Sequence, residues 1–216
     1  MIKGAIFDLD GVIVNTVPFH FKAWQKMFQQ YGYDFTMADY LAKVDGRPRL
    51  AGVAAILTDL SPDEITKAGD IKQGYYLELL ENEPLEIFES TIVLIKEMKT
   101  NKIKLVAASS SKNAVMILKK IKIFELFDAN VSGADFKKGK PDPEIFLTAA
   151  KKIGLAPKEC VVFEDAKSGV EAAFAGSFYC VGINRHNDRV GLQLANRVVK
   201  DLKEISLAEI VGLGKD

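Results

Sequence analysis

Asp8 and Asp10 stand two residues apart directly after a short apolar run, and Glu164-Asp165 form a second acidic pair directly after another such run, Val161-Val162-Phe163. Carboxylates gathered at strand tips repel one another unless a cation offsets them, and oxygen ligands in octahedral geometry suit Mg²⁺. An isolated D-x-D is more often a solvated acidic turn or a helix cap; a second pair at a second strand end is what makes a cation site worth considering. Gly11 lets the chain turn sharply after the first pair. Ser109 follows a third apolar run, where its hydroxyl suits a phosphoryl oxygen, although alone it is an ordinary capping serine. Lys140-Pro141 follows a fourth, where a lysine can neutralise charge on a transferring phosphoryl group. One lysine among 29 basic residues carries no weight by itself.

The elements that must position these side chains are legible as apolar runs: Ile2 to Phe7, Ile103 to Ala108, Ala129 to Ser132, Glu159 to Phe163 and Phe178 to Ile183. Helical patterns separate them, which predicts crossover connections and a parallel α/β sheet with ligands at the C-terminal strand ends. Between residues 15 and 88 the strand signal gives way to helices. The expected organisation is a catalytic core of residues 1–14 and 89–216, interrupted after its first strand by a helical-bundle cap of residues 15–88, with two connecting segments acting as hinges. The first cap helix begins near Thr16, has Pro18 in its first turn and stops at Gly32. Thr36 caps a second helix, Asp45-Gly46-Arg47-Pro48 breaks the chain before the run Leu50 to Leu60, and Ser61-Pro62-Asp63-Glu64 reads as a capping box opening a long helix. Thr16, His20 and Trp24 recur at helical spacing and share one face. A histidine or tryptophan on such a face is ordinarily a packing residue.

Composition narrows the function. Lys plus Arg equals Asp plus Glu at 29 each, so no long-range positive field attracts nucleic acid or an anionic membrane. No apolar run approaches the ~20 residues that span a bilayer, and the N-terminus does not read as a signal peptide, so the expected location is cytoplasmic. Cys160 and Cys180 form no metal-spaced cluster and read as core residues. Gly133 to Pro141 has the wrong spacing for a phosphate-binding P-loop, with proline where Ser or Thr belongs. With only His20 and His186, a multi-histidine metal site or a Ser-His-Asp hydrolase has little support.

In the order Asp8-x-Asp10, Ser109, Lys140, Glu164-Asp165, the chain resembles the four motifs of the haloacid dehalogenase-like superfamily. Within it, the chain resembles the β-phosphoglucomutase family through Phe7-Asp8-Leu9-Asp10-Gly11-Val12, His20-Phe21-Lys22-Ala23-Trp24, Ser111-Lys112-Asn113 and Lys140-Pro141-Asp142-Pro143. The resemblance implies a Rossmannoid parallel sheet with an inserted helical cap. It implies phosphoryl transfer through an aspartyl-phosphate on Asp8, with Asp10 as acid and base, and Ser109 and Lys140 holding phosphoryl oxygens. It implies a Mg²⁺ cofactor held by Asp8, the Asp10 carbonyl and Asp165, with Glu164 contributing. Thr16, His20, Trp24, Gly46, Arg49 and Lys72 of the cap and Ser111, Lys112 and Asn113 of the core become candidate substrate-binding residues. Arg49 with the Ser-Lys-Asn triplet would hold a second, non-transferring phosphate. The expected partner is a small sugar phosphate bound by a monomer. Isomerisation through a sugar bisphosphate is the first expectation, hydrolysis of a sugar or disaccharide phosphate the second, and a non-catalytic phosphate- or metal-binding module the third. Gly46-Arg47-Pro48-Arg49 stands where the mutase loop reads Gly-Val-Ser-Arg, adding a charge and stiffening the backbone.

Overall fold

A computed structural model describes residues 1–44, 47–185 and 191–213. In chain order the elements are β1 (Gly4–Asp8), β2 (Val14–Asn15), α1 (Val17–Gln30), α2 (Met37–Asp39), α3 (Arg49–Ala54), α4 (Pro62–Asn82), β3 (Glu86–Ile87), α5 (Glu89–Thr100), β4 (Lys104–Ala108), α6 (Ala114–Lys120), β5 (Ala129–Val131), α7 (Glu144–Ile153), β6 (Cys160–Glu164), α8 (Lys167–Ala175), β7 (Tyr179–Ile183), β8 (Arg197–Val199) and α9 (Leu207–Gly212). They fall into two compact units: Met1–Asn15 with the chain from Glu86 onward, and Thr16–Leu85.

The first unit is built on a six-stranded sheet in the order β5-β4-β1-β6-β7-β8. Every neighbouring pair is parallel. All five residues of β1 are buried, as expected of a central strand covered on both faces. On one face Ile6, Val106, Val162, Cys160 and Cys180 pack with Phe146 and Phe178. Elsewhere in the core Phe7 stacks on Phe163 at 4.5 Å. Both cysteines are buried free thiols. The sixth strand, β8, is absent from the sequence reading: Arg197-Val198-Val199 is too short to show a period. The same holds for the antiparallel pair of β2 with β3, where Val14 faces Ile87 and Asn15 faces Glu86. Asn15 Nδ2 donates to Glu86 Oε2 at 2.8 Å, tying the outgoing and returning segments together.

Among its described residues the second unit contains helices and no strand. α1 has Pro18 in its first turn and buries Phe19, Ala23, Trp24, Met27 and Phe28 on one face. Beyond it Gly32 adopts φ +72, a left-handed conformation that glycine takes without strain. Thr36 and Ser61 each make a reciprocal capping box, with Asp39 and Glu64 respectively, and Pro62 opens the 21-residue α4. The run from Leu50 supports helix only to Ala54, after which Ile56, Leu57 and Leu60 pack as loop residues against the cluster of Trp24, Phe28, Phe35, Tyr40 and Val53.

Candidate active site

Sheet register brings the acidic pairs together. Asp8, the last residue of β1, lies opposite Ala108 of β4, so Ser109 begins the loop beside it. On the other side Phe7 lies opposite Phe163 of β6, which sets Glu164 next to Asp8. Ser109 is held by its own backbone, whose N–H donates to Val131 O at 2.9 Å. Its hydroxyl donates to Asp10 Oδ2 at 3.2 Å and accepts from the Ser111 N–H at 3.0 Å. Ser109 therefore serves the Asp10 carboxylate and a tight turn, and α6 starts five residues later with Asn113 as its N-cap.

Lys140 arrives from the loop after β5. The carboxylate of Glu144, in the first turn of α7, accepts from the N–H groups of Lys137 and Lys138 at 3.1 and 2.9 Å and braces that loop. The Lys140 ammonium donates to Asp8 Oδ1 at 2.5 Å and to Glu164 Oε1. All three side chains are nearly enclosed, at 11%, 7% and 0% exposure for Lys140, Asp8 and Glu164. Glu164 also accepts from the Ala166 N–H at 2.9 Å at the start of α8. Two glycines make room: a Cβ on Gly169 would strike the Glu164 carboxylate, and one on Gly11 would strike Asp165. Gly11 is doubly constrained, since its φ is +76.

The site carries more negative charge than one lysine offsets. Burial pushes Asp8 well above the usual carboxylate range against the pull of Lys140, and Glu164, Asp10 and Asp165 add to the rise. Burial and then Glu164 push Asp165 up to about 8. Burial would depress Lys140, but Asp8 and Glu164 outweigh it and hold its pKa above the ordinary lysine value. Among the described residues no three acidic, histidine or cysteine side chains enclose a ready-made metal shell. The chemistry of the donor set nonetheless fits a hard divalent cation: buried carboxylate oxygens from two adjacent strand tips, in excess over the local positive charge.

The cap holds its own polar group. His20 Nδ1 lies 2.9 Å from Lys72 Nζ, and its ring stacks on Tyr76 at 4.3 Å. Burial, then the Lys72 charge, lowers the His20 pKa well below the ordinary imidazole value. Lys72 is buried and lies over the rings of Tyr76 and Trp24 at 4.7 and 5.0 Å. Trp24 belongs to the cap core, 4% exposed and stacked on Phe28. The Thr16 carbonyl accepts from the N–H groups of Phe19 and His20 as α1 begins. Arg49 pairs with Asp70 at 3.1 Å on the surface. Gly46 lies outside the described residues, as does His186. In the core, Ser111 Oγ accepts from the Asn113 N–H at 3.1 Å, and Lys112 is exposed.

Three residues around the site escaped the sequence reading. Thr91 Oγ1 donates to Val12 O at 2.7 Å, Gly169 accommodates Glu164, and Arg185 Nε donates to Gly11 O at 2.5 Å. A glycine inside the helical pattern after Glu164-Asp165 was the one available signal. Thr91 and Arg185 are ordinary residues until the fold brings them to the loop.

A six-stranded parallel sheet with a helical insertion after β1 and acidic pairs at adjoining strand tips defines the haloacid dehalogenase-like class of enzymes. The chain belongs to it: the family model described as haloacid dehalogenase-like hydrolase matches residues 5–182. It is 32% identical over 210 residues to beta-phosphoglucomutase of Bacillus subtilis (strain 168), covering 93% of this chain and 92% of that one. It is equally 32% identical, over 179 residues and 80% of both chains, to a phosphorylated carbohydrates phosphatase of Thermotoga maritima. Its fold matches a crystal structure of beta-phosphoglucomutase from Clostridium difficile with a TM-score of 0.88 at 30% identity, covering 99% of this chain and 97% of that one.

Proposed function

We propose that the protein is a Mg²⁺-dependent phosphotransferase acting on a sugar phosphate through an aspartyl-phosphate on Asp8, and that it isomerises β-glucose 1-phosphate to glucose 6-phosphate through a bisphosphate. The observation that carries the chemistry is the meeting of Asp8, Asp10, Ser109, Lys140 and Glu164 at the tips of three neighbouring strands. Asp8 attacks phosphorus in line while the leaving sugar oxygen takes a proton from Asp10, and Asp10 recovers one from the next hydroxyl. The Lys140 ammonium and the Ser109 hydroxyl donate to the phosphoryl oxygens, and Glu164 holds Lys140 in place. A magnesium ion on the carboxylates of Asp8 and Asp165 and the Asp10 carbonyl would neutralise charge on the transferring group. Mutase over hydrolase rests on phosphate-binding capacity beyond the reacting group. Ser111, Lys112 and Asn113 supply a hydroxyl, an ammonium and an amide just past β4, and the cap carries Arg49; the full-length similarity to a beta-phosphoglucomutase points the same way.

Hydrolysis of a phosphorylated carbohydrate is the second reading. It is favoured by the equally similar Thermotoga maritima phosphatase and by the pairing of Arg49 with Asp70. The deciding assay incubates the protein with Mg²⁺, β-glucose 1-phosphate and a trace of the bisphosphate, and measures glucose 6-phosphate and free phosphate separately. Isomer without stoichiometric phosphate supports the mutase. Rapid phosphate release with negligible isomer would refute it, and inactivity on a wide panel of phosphate esters would leave a binding module.

A further inference from the structure

We infer that Arg185, just past β7, is a positioning residue that fixes the loop carrying Asp10. This rests on the reading of Asp8 and Asp10 as the reacting carboxylates. Three successive carbonyls of the loop after Asp10 are each taken by a donor from a different place in the core. Arg185 Nε donates to Gly11 O at 2.5 Å, Thr91 Oγ1 donates to Val12 O at 2.7 Å, and the Phe88 N–H donates to Ile13 O at 3.0 Å. Within the loop the Gly11 N–H donates to Val14 O at 2.8 Å. Gly11 follows Asp10 directly and holds a positive φ, so anchoring the Gly11 carbonyl restrains the backbone that carries Asp10.

Arg185 is itself held on two more sides. Its guanidinium lies over the Phe88 ring, Cζ 3.4 Å from the centroid, and Nη1 lies 3.7 Å from Asp201 Oδ2. Phe88 directly follows β3, the strand on which the chain returns to the core, and it caps α5. One planar cation thus joins the nucleophile loop, the returning segment and the short turn at Asp201. A stacked guanidinium with a directed N–H is a role that lysine fills poorly, because its ammonium has neither the plane nor the fixed fork.

The geometry sets a graded expectation. Arg185→Ala releases Gly11 O, so kcat falls by about 10- to 100-fold while KM moves less than about threefold, as for misplacement of a reacting group. Arg185→Lys recovers part of kcat, and free guanidinium ion restores part of the activity of Arg185→Ala. The assay uses hydrolysis of p-nitrophenyl phosphate, whose cleavage requires the Asp8 chemistry under either the mutase or the phosphatase reading. A second readout is independent of turnover: amide hydrogen exchange of residues 9–15 rises at least about tenfold in Arg185→Ala, while exchange in α7 stays as in the parent protein. Unchanged exchange of residues 9–15 overturns the inference even if the parent protein proves inactive. So does a kcat within twofold of the parent value, or a rise in exchange throughout the core, which would mark a merely structural role. An inactive parent with selectively loosened residues 9–15 would uphold the positioning and refute the phosphotransfer reading instead.

Discussion

The core and the cap both bury charged side chains, but they hold them by different means. At the core, Asp8, Ser109 and Glu164 occupy consecutive positions of β1, β4 and β6 or the residue just beyond, so backbone register alone makes them neighbours. In the cap, His20 and Lys72 come from two helices 52 residues apart and meet because aromatic rings pack around them. Register is a property of a sheet and tolerates changes of side chain; a packed pocket is a property of the side chains themselves. The chemistry common to a superfamily is thereby placed on the rigid element. His20 and Lys72 instead sit where a change of side chain reshapes their surroundings directly.

Removing Asp8 gives the widest separation between the two regions. Asp8→Ala should lower turnover at least about 10³-fold, since it removes the proposed nucleophile. It should not lower the melting temperature measured in chelator, because burial and then the neighbouring carboxylates disfavour a charge on Asp8, and Lys140 keeps Glu164 as a partner. Retained turnover would end the covalent mechanism. Lys140→Ala acts oppositely on stability: it leaves Glu164 wholly buried without its counter-ion, a loss on the order of 3–5 kcal/mol, readable by urea unfolding. A loss below about 1 kcal/mol would mean that the carboxylates relax into solvent.

The pH response should split the regions by sign. Asp165 titrates near 8 in the folded core and near ~3.9 unfolded, so the folded state holds a proton that the unfolded chain releases between those values. Metal-free stability is then full below about pH 4 and falls as pH rises towards 8, by at most about 1.4 kcal/mol per pH unit for each such carboxylate. His20 is depressed instead, so its contribution is present above the unfolded value of ~6.5 and is lost as pH falls below it. Unfolding in chelator from pH 5 to 8 checks this, with Asp165→Asn flattening the alkaline slope and His20→Asn the acid one. Parallel slopes in both variants would show that these groups do not set the response.

What the sequence disclosed follows the same division. Buried strands announced themselves as apolar runs, two of them ended by acidic pairs, so the parallel sheet and its inserted cap were legible, and so were the residues that meet at the strand tips. The short pairings were not: β2, β3 and β8 are two or three residues long and show no period. Arg185 and Thr91 were hidden for a different reason. Each acts by reaching a backbone carbonyl of a distant loop, and a carbonyl has no residue type to read. In the cap the capping boxes at Thr36 and Ser61 were explicit in local sequence, whereas the His20–Lys72 contact depends on two helices packing side by side.

The smallest effect tests whether the cap is energetically its own unit. Ser61 Oγ accepts from the Glu64 N–H while the Glu64 carboxylate accepts from the Ser61 N–H at 2.8 Å, closing the N-terminus of α4 on an exposed surface. Ser61→Ala removes one half of that box and should cost about 1 kcal/mol. The loss should appear as faster amide exchange in the first turns of α4, with exchange in β1, β4 and β6 unchanged. Hydrolysis of p-nitrophenyl phosphate should keep its kcat within about twofold, because the residues that meet at the strand tips are set by register and not by α4. If strand exchange rose together with helix exchange, the two regions would unfold as one, and the contrast between register and packing would describe how their sites are held but not how they respond to damage.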